Sequence, residues 1–292
     1  MDKKIFKGVY SAIFSVYDEN MNVKKESVRK LVNYHLDNGL AGFYVGGNTG
    51  ECTVLPNKTR MQMLETVKEE NKGGQIIAHI GAGHFDDVKE LLEHANYCGV
   101  DAIASLPPSL TSYYNEEAIF EYYKYLAKNS KAPVLAYITN VYKGDVVELA
   151  KKFSQIDNMI GIKLTIPDYY AHERVNRACG DLNILNGPDE CLLCGLLTGS
   201  DGGIGTSYNV FPKTVSNIYE NFIKGDIKEA YNNQHKLNTF IDAALGKNGI
   251  GYWKAFLEVK GIDMGYTVFP ARPNNKEEIA EIEKFMAEHP DL

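Results

Sequence analysis

The sequence predicts an α/β protein, a (β/α)8 TIM barrel with a C-terminal helical extension. Three observations carry that prediction. Eight short apolar runs alternate with amphipathic helical segments over the first three-quarters of the chain. Most of these runs are apolar at consecutive positions, as in IIAHI at 76–80 and VLAYI at 134–138, the pattern of parallel strands covered on both faces. After Gly225 the strand signal stops and only helical periodicity remains. A parallel sheet built from eight strand–helix repeats, with no further strand to add, closes most simply on itself.

The strand candidates, in order, are Gly8–Tyr17, Gly42–Gly47, Gln75–Ala82, Asp101–Pro107, Pro133–Thr139, Met159–Thr165, Asn183–Gly187 and Gly202–Tyr208. Between the first two, Val28, Leu31, Val32, His35 and Leu36 form one helical stripe that Gly39 closes. Segments near 57–72, 86–98, 115–129, 144–156, 168–179, 189–198 and 211–224 repeat the pattern. In the extension, Ile227, Ala230, Tyr231, Leu237, Phe240, Ile241 and Leu245 keep helical spacing, followed by Trp253–Val259 and a charged helix at Lys276–Glu288. The expected division is a catalytic barrel at 1–224 and a helical region at 225–292.

Composition narrows the function classes. With 292 residues, 44% hydrophobic and 24% charged, the chain has the make-up of a folded soluble protein with a large core. Its net charge of −7 and lack of a dense Lys/Arg block exclude a sequence-independent grip on nucleic acid or anionic membrane. No apolar run reaches the roughly 20 residues of a membrane helix. Lys7 interrupts the apolar N-terminal stretch, so it does not read as a signal peptide. Five scattered cysteines make no disulfide framework, and a cytoplasmic location is expected.

Barrel enzymes take their functional groups from strand C-terminal ends and the loops that follow. Lys163 stands out there, an ammonium among the apolar residues of IGIKLT at 160–165. Such a lysine reaches water, pairs with a carboxylate, or loses its proton and becomes a nucleophile toward a carbonyl. Tyr137 ends the fifth run near the same mouth, as a proton shuttle or as a packing residue. The turn Gly46-Gly47-Asn48-Thr49-Gly50 offers backbone N–H groups and two polar side chains to a carboxylate, or is simply a flexible turn. Gly202 to Ser207, holding Gly205 and Thr206, is an anion site or a tight turn. Asp189 and Glu190 begin a helical segment, where Asp189 either caps the helix or, with its neighbour, accepts hydrogen bonds from a polyol. Cys191 and Cys194 have no second pair, which favours core packing over zinc or redox chemistry. The histidines show no ligand spacing and no phosphate-loop motif is present, so neither a metal nor a nucleotide is called for.

Together and in this order, GFYVGGNTGE at 42–51, Tyr137, GIKLT at 161–165, GPDE at 187–190 and GLLTGSDGGIGTSYN at 195–209 resemble the class I pyruvate-dependent aldolases of the dihydrodipicolinate synthase/N-acetylneuraminate lyase family. The likeness spans nearly the whole chain. It implies a homotetrameric barrel acting on small molecules, with no cofactor beyond a covalent imine between Lys163 and pyruvate. It further implies proton transfer by Tyr137, with Thr49 orienting it and holding the pyruvate carboxylate beside Asn48. Thr165, Gly187, Asp189, Glu190, Gly205 and Thr206 would contact the sugar half.

Within the family, GPDE and the run to Asn209 resemble the lyase branch, which cleaves N-acetylneuraminate to pyruvate and N-acetylmannosamine. The synthase branch, which condenses pyruvate with aspartate semialdehyde, carries an arginine five residues after its tyrosine; here that position is Tyr142. An aldolase for another 2-keto-3-deoxy sugar acid lies between the two, and a catalytically silent binding barrel is the reading from another class. Three departures stand out: Asn48 replaces the usual Ser or Thr, the lyase Asn-Ile-Pro after the tyrosine is absent, and Leu110 and Thr111 replace paired tyrosines.

Overall fold

The computed structural model describes residues 4–108 and 115–290, so the positions of Leu110 and Thr111 lie outside the described residues. Eight parallel strands form a closed barrel in sequence order, with β1 pairing both β2 and β8. They are β1 Gly8–Ala12, β2 Gly42–Val45, β3 Gln75–His79, β4 Ala102–Ser105, β5 Val134–Thr139, β6 Met159–Thr165, β7 Asn183–Asn186 and β8 Gly202–Gly205. The surrounding helices are α1 Lys25–Asp37, α2 Asn57–Glu70, α3 Phe85–Cys98, α4 Glu116–Asn129, α5 Val146–Ser154, α6 Tyr169–Ala178, α7 Leu192–Leu197 and α8 Pro212–Lys224. Three more follow, α9 Ile227–Ala244, α10 Gly249–Val259 and α11 Lys276–Glu288. The architecture is a TIM barrel with a C-terminal helical part.

The elements form where local chemistry allows them. Val28, Leu31, Val32 and His35 of α1 are all buried against the sheet; each apolar one contributes roughly 1.5–3 kcal/mol by leaving water. Proline opens α8 at its first turn, and Gly225 ends it in the left-handed region at φ +81°. Strand parity then sorts side chains into two cores. Ile162 and Leu164 of β6 face the helices within the large outer cluster, while Tyr10, Tyr44, Ile77, Leu135, Tyr137, Leu185 and Ile204 fill the barrel interior. Lys163, between Ile162 and Leu164, shares the inward parity.

Three details differ from expectation. β1 stops at Ala12, and Tyr17 instead forms isolated bridges with Val23 and Gly265. The segment at 189–198 starts as a 3₁₀ turn, Asp189–Cys191, before α7 begins. Cys191 and Cys194 are not core residues: Cys191 is half-buried beside the Tyr169 phenol, and Cys194 is exposed. Cys191 ends the 3₁₀ turn outside α7, and within α7 it is Leu192, Leu193, Gly195 and Leu196 that are buried, not Cys194.

The extension reaches back to the barrel mouth. From α9, Gln234 donates to the Asp189 carbonyl at 3.1 Å and Asn238 to the Glu190 carbonyl at 3.0 Å. From α10, Lys254 reaches Glu51 in the turn after β2. Among the described residues no helix is long and apolar enough to cross a membrane.

Candidate active site

Pairing between β5 and β6 sets Tyr137 directly beside Lys163, and Thr139 beside Thr165. Both Lys163 and Tyr137 are buried, at 6% and 5% exposure. Among the described residues the Lys163 Nζ has neither a carboxylate nor a hydrogen-bond acceptor. It lies instead over two aromatic faces, 4.3 Å from the Tyr137 ring centre and 4.5 Å from that of Tyr44. The amine therefore stands at the barrel mouth among rings, with no ion-pair partner within bonding distance among the described residues.

His79 of β3 closes this aromatic wall, with its ring 5.7 Å from Tyr44 and 6.2 Å from Tyr137. Its Nδ1 meets the Gly46 carbonyl at 3.0 Å, and its Nε2 accepts the Leu106 N–H at 3.2 Å, which makes it the neutral tautomer with the proton on Nδ1. Burial, assisted by the Arg60 and Lys163 charges, pushes its pKa down to about 3. The Arg60 guanidinium, itself buried, donates to the carbonyls of Gly46, His79 and Gly81 and so fixes the ends of β2 and β3. Neither Tyr44 nor His79 was legible as a site residue in the sequence.

The turns after β2 and β8 meet across the mouth. Thr49 Oγ1 and Thr206 Oγ1 are 2.6 Å apart; among the described residues no hydrogen bond joins Thr49 to Tyr137. Ser15 supports this turn by donating to the Gly50 carbonyl at 2.8 Å. Asn48 is exposed beside the threonine, its side-chain oxygen accepting from the Cys52 thiol.

Asp189 does not cap a helix. Its Oδ2 accepts both the backbone N–H and the hydroxyl of Ser207, each at 2.6 Å. Burial pushes its pKa up to about 6, against the opposing pull of the Ser207 bonds and the Lys163 charge. Gly205 leaves the space for this: a Cβ there would lie 2.5 Å from Asp189 Oδ1 and 2.4 Å from the Tyr208 ring. Thr165 Oγ1 is buried without a partner, and Gly187 must lack a side chain because its Cβ would sit 1.8 Å from that oxygen. Glu190 is exposed at the rim. Ser207 escaped sequence reasoning, because its hydroxyl and N–H gain a role only where β8 brings them to Asp189.

A cavity of about 570 Å³ opens on the β2–β5 side, lined in part by Asn48, Arg60, His79, Thr139 and Tyr142. Lys163 and Asp189 stand outside its lining, toward β6–β8. At the rim the Tyr142 hydroxyl donates to the Glu116 carboxylate at 3.0 Å, and Lys152 pairs with the same carboxylate. The arrangement joins an amine, a phenol, two clasped hydroxyls and a half-buried carboxylate, groups suited to carbonyl chemistry on a hydroxylated substrate.

Known proteins share this arrangement's frame. The profile of the Dihydrodipicolinate synthetase family matches residues 5–289. The chain is 31% identical over 281 residues to N-acetylneuraminate lyase of Clostridium perfringens, covering 94% of this chain and 96% of that one. It is 32% identical over 254 residues to the N-acetylneuraminate lyase of Citrobacter koseri, covering 85% and 84%. Its structure superposes on the sialic acid aldolase of Ruminococcus gnavus with a TM-score of 0.89 at 28% identity, covering 97% and 95% of the two chains. Since the likeness runs from before β1 to the end of α11 and takes in every strand that feeds the mouth, the chain belongs to the dihydrodipicolinate synthetase family and is a lyase.

Proposed function

We propose that this protein is a class I, Schiff-base aldolase that reversibly cleaves N-acetylneuraminate to pyruvate and N-acetylmannosamine. The observation that carries the reading is the unpaired, buried Lys163 amine set beside Tyr137 by strand register. The names of the relatives at about 31% identity support the choice of substrate.

In this mechanism the neutral Lys163 Nζ attacks the keto carbon. The carbinolamine hydroxyl leaves as water with a proton from Tyr137, giving a cationic iminium. The Tyr137 phenolate then takes the proton of the C4 hydroxyl. The C3–C4 bond breaks, and its electrons pass into the iminium to form a neutral enamine as the aldehyde departs. Protonation of the enamine at C3 and hydrolysis release pyruvate and restore the amine. Thr49 and the N–H groups of its turn hold the carboxylate beside Asn48. Asp189, Glu190, Thr165, Gly187, Gly205 and Thr206 receive the sugar hydroxyls, with the unpartnered Thr165 Oγ1 ready to bond one. The imine is made from the protein's own lysine, so no cofactor enters.

The second reading is the synthase that condenses pyruvate with aspartate semialdehyde. The neutral Tyr142, tied to Glu116, offers no cation to a second carboxylate, which favours the lyase. We further read the protein as a cytoplasmic homotetramer in which a catalytic barrel at 1–224 is followed by a helical region at 225–292. Family resemblance supports the tetramer, and the scattered, odd-numbered cysteines support a reducing compartment.

Borohydride added with pyruvate is expected to reduce the imine and add mass at Lys163. An unlabelled protein, or normal activity in Lys163→Ala, overturns the mechanism. Pyruvate release from N-acetylneuraminate, compared with condensation on aspartate semialdehyde, decides between the two readings.

A further inference from the structure

The Lys163 ammonium lies between two ring faces, and the mechanism above employs only one of those rings. Tyr137 acts through its hydroxyl. Tyr44 faces the same nitrogen, yet its own hydroxyl is buried and bonds to nothing, so it has no proton route. Its ring is held edge-to-face against Tyr137, with centres 6.1 Å apart and planes at 84°. Gly47 is shaped around it, since a Cβ at that glycine would lie 2.5 Å from the Tyr44 ring. A fully buried ring with its face on a cationic nitrogen is an electrostatic device as well as packing, because the negative face of the π system attracts cations.

We propose that Tyr44 is a further catalytic residue whose ring face stabilises the cationic iminium on Lys163 relative to its neutral carbinolamine precursor. The proposal rests on the imine reading above. The step it favours is loss of hydroxide from the carbinolamine carbon, with the nitrogen lone pair forming the C=N bond and Tyr137 supplying the proton that makes water. A carboxylate in the same place would also favour the cation, but it would hold the free ammonium's proton and block attack. An aromatic face attracts the positive charge without offering a base.

The test is graded fluorination of the ring. Tyr44→Phe keeps the face and removes only the unbonded hydroxyl, so it serves as reference. Fluoro-, difluoro- and trifluorophenylalanine are then incorporated at position 44, each fluorine drawing electron density from the face while shape and volume barely change. The initial rate of borohydride labelling at Lys163 under saturating pyruvate is expected to fall stepwise, by about tenfold across the series, at a constant thermal midpoint. A purely structural ring gives no such gradient. Labelling at one rate throughout the series overturns the Tyr44 assignment alone; absence of label in the unmodified protein overturns it together with the imine mechanism.

Discussion

Lys254 of α10 and Glu51 of the turn after β2 form a buried ion pair, Nζ to Oε2 at 2.8 Å, between residues 203 apart in the chain. Their side chains are 2% and 7% exposed. The second carboxylate oxygen accepts the Tyr17 hydroxyl at 2.8 Å, and the Tyr17 ring lies 4.7 Å from the ammonium. Glu51 occupies the left-handed region at φ +60°, two residues after Thr49. The extension therefore clamps the turn that carries a candidate carboxylate-binding hydroxyl.

Breaking one side of such a pair leaves a buried charge alone, which costs about 3–5 kcal/mol. Lys254→Met is expected to lose that much stability in urea titrations. Pairing it with Glu51→Gln removes the orphaned charge and recovers a large part of the loss. Equal stability of the single and double variants would show that the two charges do not act on each other.

Tyr137→Phe removes the one phenol set by register beside Lys163 and spares the ring that faces it. Loss of the proton shuttle is expected to lower kcat for cleavage by about 10²–10⁴-fold, with a thermal midpoint near that of the parent. Steady-state kinetics and a melting curve check both halves. Wild-type turnover in this variant would assign the proton transfer elsewhere.

Asp189 titrates near pH 6, above the usual carboxyl range, because it is buried. Above that pH it is an acceptor for Ser207 and, in the proposed function, for the sugar. Below it the carboxyl holds a proton and loses acceptor capacity, so KM for N-acetylneuraminate is expected to rise as pH drops from 7 to 5. Asp189→Asn should bind poorly at every pH and show a flat profile. For stability the sign is opposite: a raised carboxyl pKa means the folded state binds the extra proton, so this group stabilises the fold on acidification between about pH 6 and 4.

His35 and His79 act the other way. Burial pushes their pKa values down to about 4 and about 3, so both stay neutral in the fold while the unfolded chain protonates them near pH 6.5. Their contribution is complete above pH 6.5 and is lost as pH falls toward 4, at about 1.4 kcal/mol per pH unit for each. Asp189 offsets about one of the two. Urea midpoints at pH 7, 6 and 5 should therefore decline; a level series would refute the assignment of two neutral buried histidines.

Much of the barrel was written into local pattern. Short apolar runs, most of them apolar at consecutive positions, marked the strands because both faces of a parallel strand are dry, and Gly39 and Gly225 marked helix ends because only glycine enters the left-handed region cheaply. Lys163 was visible for a related reason, as a charge where its neighbours tolerate none. Asp189 was misread as a possible cap because its partner, Ser207, lies 18 residues away on another turn.

The sequence by itself determined the strand–helix alternation, the helical tail, and the amine, phenol and acidic turn from which a site is made. Only the closed barrel decided which of these side chains meet. Register put Tyr137 against Lys163, circular closure brought Thr206 to Thr49, and the returning helices set Lys254 on Glu51. Periodicity is a property of neighbours along the chain, whereas Tyr44 and His79 gained their place from distances across a cylinder, where separation in sequence carries no weight.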